Sequence, residues 1–131
     1  MYIPPLPSPR GHYSPAVVHS GMVYLSGQLP AVAGGSPVSD TIEAQTAECM
    51  HQIRTLLQAC GSDLSCLLKV NIYIADIELW PRVNAEYARI MGEHRPARAI
   101  IPCGKLHYGC LIEIDGIATV LQDTNLPERY V

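Results

Sequence analysis

Arg98 is one of two charged residues whose position in the sequence could support chemistry. It follows Pro96 and Ala97 and opens a predicted strand, so its guanidinium could project from a strand end. A planar guanidinium binds a carboxylate through two parallel hydrogen bonds. Arginines at such positions are more often simply solvated, and from this residue alone both interpretations stay open.

Glu113 is the second such residue. It lies between Ile112 and Ile114, and the two-residue period of a strand places it with Asp115 on the face opposite the isoleucines. Two carboxylates on one strand face are compatible with an acid or base group for catalysis. More often, however, such carboxylates form a polar sheet face that lines a subunit contact or water.

Five further residues could line a binding site. Gly27 follows Ser26 at a strand end, where a glycine lets a ligand approach the backbone, although an ordinary turn has the same composition. Tyr13 and Asn84 carry polar tips next to apolar runs and could instead be structural hydrogen-bond partners. The five histidines lack metal-ligand spacing, and His107 is the one expected to reach a pocket.

Metal, nucleotide and hydrolase-triad chemistry lack their usual motifs. The sequence contains no P-loop, no glycine-rich dinucleotide fingerprint and no G-x-S-x-G nucleophile turn. Its five cysteines are an odd number without paired C-x-x-C spacing. That pattern favours reduced, packed thiols over a disulfide framework or a zinc site, so no metal is expected.

The first elements that must position these residues are a hairpin and a helix. Ser20-Gly21 separates two short apolar runs, which predicts two antiparallel strands joined by a tight turn. Asp40 and Glu43 are spaced as a capping box, so a helix should begin there and end at Gly61.

Alternation from Leu68 to Ile74 then predicts a strand with two different faces. A second helix should begin near Asp76 or Glu78, with Pro81 in its first turn, and end at Gly92. Its predicted buried stripe consists of Trp80, Val83, Tyr87, Ile90 and Met91. Two last strands are predicted over residues 99–103 and 110–120.

This order of elements predicts an α+β fold in which two helices cover one face of a mainly antiparallel or mixed sheet. A single domain should span residues 1–131, with a proline-rich extended segment at 1–10 and a C-terminal tail at 121–131. The second face of the sheet then needs a cover.

The composition also indicates a hidden surface. The 131 residues include 9 Lys and Arg against 12 Asp and Glu, a net charge of −3, and only 16% are charged. A charged fraction below the usual value of about 25% favours burial of some surface by a partner chain. The acidic balance without a basic run disfavours nucleic-acid binding. No apolar stretch suits a membrane span and no leader pattern is present, so a cytoplasmic protein is expected.

Taken in order, the motifs over about residues 11–120 resemble the YjgF/RidA family of reactive intermediate deaminases. The matching segments are Tyr13-Ser14, Val23-Tyr24-Leu25-Ser26-Gly27-Gln28-Leu29-Pro30, Glu43-Ala44-Gln45-Thr46, Leu68-Lys69-Val70, Val83-Asn84-Ala85-Glu86-Tyr87, Pro96-Ala97-Arg98 and Ile112-Glu113-Ile114. Each segment alone is weak evidence, whereas the ordered set is specific.

The resemblance implies a chorismate-mutase-like fold assembled as a homotrimer, whose sheets form a central barrel with clefts between subunits. Such an assembly would cover the second sheet face. It also implies hydrolysis of reactive enamine or imine intermediates such as 2-aminoacrylate to the 2-keto acid and ammonia. No cofactor is expected because an iminium carbon is already electrophilic.

The resemblance further implies roles for individual residues. Arg98 matches the family's carboxylate-binding arginine, and Glu113 matches the glutamate that positions or activates water. Positions that line the family's cleft are matched by Tyr13, Ser26, Gly27 and Asn84. Where the family often has Ser-Cys after Pro-Ala-Arg, this chain has Ala99 and Ile100. Thiol chemistry is thereby excluded at that position, while the backbone carbonyl of Ile100 could still accept a hydrogen bond from water.

Two other functions remain open at this stage. One is a non-catalytic or regulatory trimer that holds small carboxylates in the same cleft. The other is an endoribonuclease, an activity reported under some names of the family, which the net charge of −3 disfavours.

Overall fold

A computed structural model of the chain describes residues 11–121 and 129–130. The strands are β1 (Ala16–His19), β2 (Met22–Gln28), β3 (Leu67–Ile74), β4 (Ala97–Pro102), β5 (Ile112–Thr119) and β6 (Arg129–Tyr130), and the helices are α1 (Ile42–Ala59) and α2 (Trp80–Met91). The predicted α+β class is confirmed. The proline-rich segment 1–10 lies outside the described residues, and neither helix is long and apolar enough to cross a membrane.

The six strands form one mixed sheet in the order β4-β3-β5-β2-β1-β6. β3 and β4 are parallel, and all other neighbours are antiparallel. Residues 129–130 lie in the stretch expected to be a C-terminal tail, but they form β6 and pair with β1. β4 is the edge strand at the other end of the sheet.

The predicted hairpin turn is confirmed. Ser20 and Gly21 have φ angles of 49° and 77°, and His19 pairs with Met22 across the turn. A two-residue turn with both central residues at positive φ matches the twist of the strands on either side. β1 and β2 are thereby held in a fixed register.

The cap of α1 lies one residue later than predicted. Thr41, still in an extended conformation, accepts a hydrogen bond from the Ala44 amide through Oγ1 (3.2 Å), so the expected cap by Asp40 is wrong. Glu43 does not reach back to the cap. Its carboxylate binds Arg82 of α2 through two hydrogen bonds of 2.7 Å, which ties the helices together. The helix ends before Gly61, at φ 77°, as predicted.

One predicted apolar position in β3 is wrong. The register with β5 shifts between Leu67 and Lys69, where β3 contains one extra residue. A bulge of this kind reverses the facing of the residues before it. Leu67 is therefore buried and Leu68 is 48% exposed.

α2 follows a short 3₁₀ turn (Ile77–Leu79), in which the Glu78 amide donates a hydrogen bond to the carboxylate of the preceding Asp76 (2.9 Å). Pro81 lies in the first turn of α2 and Gly92, at φ 64°, follows its last residue, both as predicted. The buried members of its predicted stripe are Val83, Tyr87 and Met91, and Ile90 is partly buried against the core. Trp80 is 38% exposed, so its place in the buried stripe was wrong: it is the first helical residue, at the rim of the helix layer.

The side chains of β5 alternate between the core and the face of the sheet that the helices leave uncovered, the open face. Ile112 and Ile114 are fully buried under the helices, and Glu113 and Asp115 lie on the opposite face, as the period predicts. The helices cover only the isoleucine side. The polar face of β5 therefore remains available for a site.

Candidate functional site

A cleft of about 400 Å³ opens where β2 ends and β5 begins. It is lined by Gly11, Tyr13, Ser26, Gly27, Leu29, His107, Tyr108 and Glu113. Four residues proposed from the sequence thus meet in one place, and His107 reaches the same cleft. Gly11, Leu29 and Tyr108 were not anticipated.

A bulge in β2 brings the backbone of Gly27 against Glu113. Leu25 pairs with Gly116 and Gln28 with Ile114, so β2 has one residue more than β5 across this interval. A β-carbon on Gly27 would overlap Oε2 of Glu113 and lie 3.0 Å from its carboxyl carbon. Only glycine permits this approach.

The hydroxyl of Ser26 is used within the chain. It donates a hydrogen bond to the Ser14 carbonyl (2.6 Å), and the Ser26 amide donates to the Pro15 carbonyl (2.9 Å). These two bonds hold the segment that carries Tyr13, whose side chain is 52% exposed at the cleft. Ser26 therefore positions Tyr13, and its oxygen already has a partner.

The cleft wall opposite β2 is a sharp turn after β4. Tyr108 has φ 62° and Gly109 has φ 73°, the left-handed region that is uncommon for a tyrosine. The rings of His107 and Tyr108 lie 5.7 Å apart between centroids, at 49° to each other. Gly104 and Gly109 indicate a break between two strands in the sequence, but no local pattern indicated that Tyr108 would line a cleft.

Glu113 is the acid–base candidate of the cleft. Burial raises the pKa of its carboxyl above the ordinary value of 4.5, and the negative charge of Asp115 raises this pKa further, while His107 opposes the rise. A raised pKa makes the carboxylate a better base and lets it carry a proton closer to neutral pH.

The thiols near the cleft are unsuited to nucleophilic chemistry. Burial raises the pKa of the Cys110 thiol and holds that of Cys49 well above its ordinary value. A thiol that stays protonated is a poor nucleophile. Cys103 is exposed, contrary to the expectation of a packed thiol. Across residues 11–121 and 129–130, no cluster of three or more His, Cys, Asp or Glu could hold a metal ion.

Arg98 lies away from this cleft, beside α2. Its guanidinium carbon is 5.0 Å from the ring centroid of Tyr87 and 5.8 Å from that of Trp80, within the range of cation–π attraction. The arginines that pair with carboxylates in the described part of the chain are Arg54, Arg82 and Arg89. The hydrogen-bond donors of Arg98 therefore remain available for an anion.

Asn84 and Ile100 belong with Arg98. Asn84 follows Trp80 by four residues and precedes Tyr87 by three, so the three side chains share one face of α2. Ile100 is two residues from Arg98 on β4, pairs with Ile72 and packs against the core. The three predicted site residues outside the cleft thus form a second group, at the β4 side of the sheet.

The two groups cannot meet within one chain. Arg98 pairs with the buried Val70 and points to the helix side, whereas Glu113 pairs with Tyr73 on the open face. β3 lies between β4 and β5, which separates those two strands by about 10 Å. Side chains on opposite faces of a sheet diverge, so a shared substrate would need two copies of the chain.

Comparison with known proteins identifies the family. The model of the endoribonuclease L-PSP family matches residues 5–120, nearly all of the chain. The chain belongs to the endoribonuclease L-PSP family. A RutC family protein from Pyrococcus horikoshii is 34% identical over 113 residues, which cover 86% of this chain and 90% of that protein.

Other members of the L-PSP family confirm the resemblance to YjgF and RidA proteins. The chloroplastic Reactive Intermediate Deaminase A of Arabidopsis thaliana is 34% identical over 115 residues, covering 87% of this chain and 62% of that protein. The crystal structure of the YjgF gene product from E. coli superimposes with a TM-score of 0.79 at 27% identity, covering 86% of this chain and 91% of that one.

Proposed function

We propose that this L-PSP family protein is a cytoplasmic deaminase that hydrolyses enamine or imine intermediates of the 2-aminoacrylate kind to a 2-keto acid and ammonia. The observation that carries the proposal is the Glu113 carboxyl, which faces a cleft against Gly27 with a pKa above its ordinary value. A group of this kind can take a proton from water and return it within one reaction. The reaction needs no cofactor, because the imine carbon is already electrophilic.

The chemistry passes two protons through Glu113. Acting on the protonated imine, Glu113 accepts a proton from a water molecule as the oxygen bonds to the imine carbon, which gives a neutral carbinolamine. It then donates that proton to the nitrogen, and it takes the hydroxyl proton as the carbon–nitrogen bond breaks, the carbonyl forms and ammonia leaves. This second proton passes from Glu113 to solvent. Water and imine are consumed, and keto acid and ammonia are released. Holding the water and the imine together makes the attack effectively intramolecular.

Binding of the substrate carboxylate is the role we assign to Arg98. Its guanidinium carbon lies over the rings of Trp80 and Tyr87, 5.8 and 5.0 Å from their centroids, and has no acidic partner within the described residues. A planar donor fixed in this way can bind a carboxylate with two hydrogen bonds. The carbonyl of Ile100 and the amide of Asn84 would contact the substrate or its water from the same group.

We further propose that a homotrimer brings the two groups together. Because Arg98 and Glu113 point away from opposite faces of one sheet, a complete site needs Glu113 from one subunit and Arg98 from its neighbour. The open face also carries exposed apolar side chains, including Tyr24 at 42% and Ile101 at 41%. Burial of such a face between copies would remove apolar area from water.

The charge of the cleft argues against ribonuclease activity. Its lining contains one carboxylate, that of Glu113, and neither lysine nor arginine. Phosphate groups need basic contacts, whereas a carboxylate ringed by aromatic side chains suits a cationic iminium. RNA is therefore a poor fit to the cleft.

A coupled assay tests the proposed function. The purified protein is added to a pyridoxal-phosphate enzyme that generates 2-aminoacrylate, and the rates of keto-acid and ammonia release are measured. We expect acceleration by the wild type and by Arg95→Ala, which removes a nearby exposed arginine, and none by Arg98→Ala. An unaccelerated rate with several imino acids would refute the deaminase. If small carboxylates still bound, the non-catalytic trimer would replace it.

A further inference from the structure

A polar network lies beside Glu113 on the open face of the sheet. The Asp115 carboxylate accepts hydrogen bonds from Asn71 Nδ2 (2.8 Å) and from the Tyr73 hydroxyl (3.1 Å). Asn71 pairs directly with Asp115 across β3 and β5, and Tyr73 pairs with Glu113. The strand register therefore places both carboxylates and both donors on one surface.

The two carboxylates have different surroundings. Asp115 accepts hydrogen bonds from two fixed donors, which hold its carboxylate in place on the sheet. The Tyr73 donor is retained at neutral pH, because burial and the charge of Asp115 raise the pKa of its phenol. Glu113 instead has the backbone of Gly27 on one side and the cleft on the other. Unequal surroundings of two nearby carboxyls commonly separate their roles in catalysis.

We infer that Asp115, held by Asn71 and Tyr73, is a positioning residue whose fixed negative charge keeps Glu113 basic enough to exchange a proton with water and imine. Asp115 acts on the reaction only through Glu113, and it does not contact the substrate. The inference rests on the proposed function, since it concerns the same carboxylate. It goes further by assigning one of the two carboxylates on β5 to proton transfer and the other to electrostatic control.

Other groups around Glu113 favour or oppose the ionisation of its carboxyl. His107, on the turn after β4, is the neighbour that favours its ionised form, whereas Asp115 and burial oppose it. The thiols of Cys49 and Cys110 also interact with the charge of Glu113, and Tyr13 shares its cleft. Lys69 lies on the same face of β3 and pairs with Ile117, so it is farther from Glu113 than Asn71 is. Asp115 is therefore the anion whose removal should change Glu113 most.

The test measures the titration of Glu113 directly. Protein labelled with ¹³C at glutamate side chains is titrated by NMR, and the pH profile of kcat/KM for imine hydrolysis is recorded on the same samples. In Asp115→Asn, which keeps the shape and the acceptor oxygen, both the Glu113 midpoint and the acidic limb should move down by about half a pH unit. Asp115→Glu, which restores the charge, should return both towards wild type.

The controls separate this charge effect from misfolding. Glu93→Gln removes an exposed carboxylate in the loop after α2 and should leave the Glu113 midpoint unchanged. Asp115→Ser removes the same charge with a smaller side chain and serves if Asp115→Asn does not fold. A Glu113 midpoint that is equal in wild type and in the charge-removing variants would overturn the inference. A midpoint that moves while no imine is hydrolysed would support control by Asp115 and refute the deaminase.

Discussion

The carboxylate of Glu113 lies against the backbone of Gly27, with no room for a side chain between them. The contact joins β5 to a bulge in β2, two segments more than 80 residues apart in sequence. Within the described residues, no side chain donates a hydrogen bond to this carboxylate. In the proposed acid–base role, its oxygens would therefore be available to water and substrate.

Gly27→Ala should inactivate the protein while leaving it folded. The new β-carbon would overlap Oε2 of Glu113 and push the carboxylate from its position. Displacement by about 1 Å can cost a hundredfold in rate, so we expect a loss of that order in kcat/KM. Gly34→Ala is the matched control, because a β-carbon there meets nothing within 4 Å. Circular dichroism checks folding, and full activity of Gly27→Ala would contradict the predicted role of the contact.

Glu113→Gln should stabilise the fold at neutral pH. The pKa of Glu113 is raised in the folded state by burial and by Asp115, so ionisation weakens the folded state as pH rises from the ordinary value of 4.5 through the folded pKa. Glutamine does not ionise and avoids this loss. Urea unfolding should show a more stable variant at neutral pH and equal stabilities well below pH 4.5.

Glu86→Gln should change the stability of the fold in the opposite direction and serves as a comparison. A hydrogen bond from Arg89 lowers the pKa of Glu86, so its ionisation strengthens the folded state above the ordinary pKa. That variant should lose stability at neutral pH relative to wild type. If Glu113→Gln behaved in the same way as Glu86→Gln, the buried, base-like setting of Glu113 would be refuted.

Mixed subunits should recover activity that neither parent has. Glu113→Gln is expected to lower kcat by about a hundredfold or more, and Arg98→Ala to remove carboxylate binding. If each site takes Glu113 from one subunit and Arg98 from the next, random mixing of the two variants restores roughly a quarter of the sites. The mixture is unfolded, refolded together and assayed against each parent treated alone.

Light scattering on the same samples should give about three times the chain mass of 14.3 kDa. A monomer would leave Arg98 and Glu113 unable to act on one substrate. If an intact mixed trimer showed no more activity than either parent, Arg98 and Glu113 would instead have separate functions.

Trp80→Leu should weaken substrate binding through Arg98. Loss of one aromatic face frees the guanidinium, and a partly exposed cation–π contact of about 0.5–1 kcal/mol predicts a two- to fivefold rise in KM with little change in kcat. Tyr87→Phe is the control, because it keeps the other ring and removes a buried hydroxyl that has no partner among the described residues. Equal KM values for both variants and wild type would remove Trp80 from the site.

Features set by neighbours in the sequence were predictable. The Ser20-Gly21 turn and the end of α1 at Gly61 follow from the backbone freedom of glycine. The opposite facing of Ile112 and Glu113 follows from the period of a strand. In each case the pattern that predicts the feature lies within a few residues of it.

Features set by register with a distant segment were not predictable. The extra residue at Leu68 exists only in relation to β5, and the bulge at Gly27 only in relation to the same strand. α1 is capped by Thr41 instead of Asp40, and its first residue, Ile42, is buried in the core. Trp80 has the composition of a core residue but sits at the rim, beside Arg98.

The sequence by itself determined the class of fold, the order of elements, the family and the residue types available for chemistry, because these depend on local periodicity and on ordered motifs. Only the tertiary structure decided how those residues are grouped. It placed Glu113 with Gly27 in one cleft and Arg98 on the other side of the sheet. The reason is physical: which side chains meet depends on strand order, register and facing, and these are set by pairing between segments far apart in the chain.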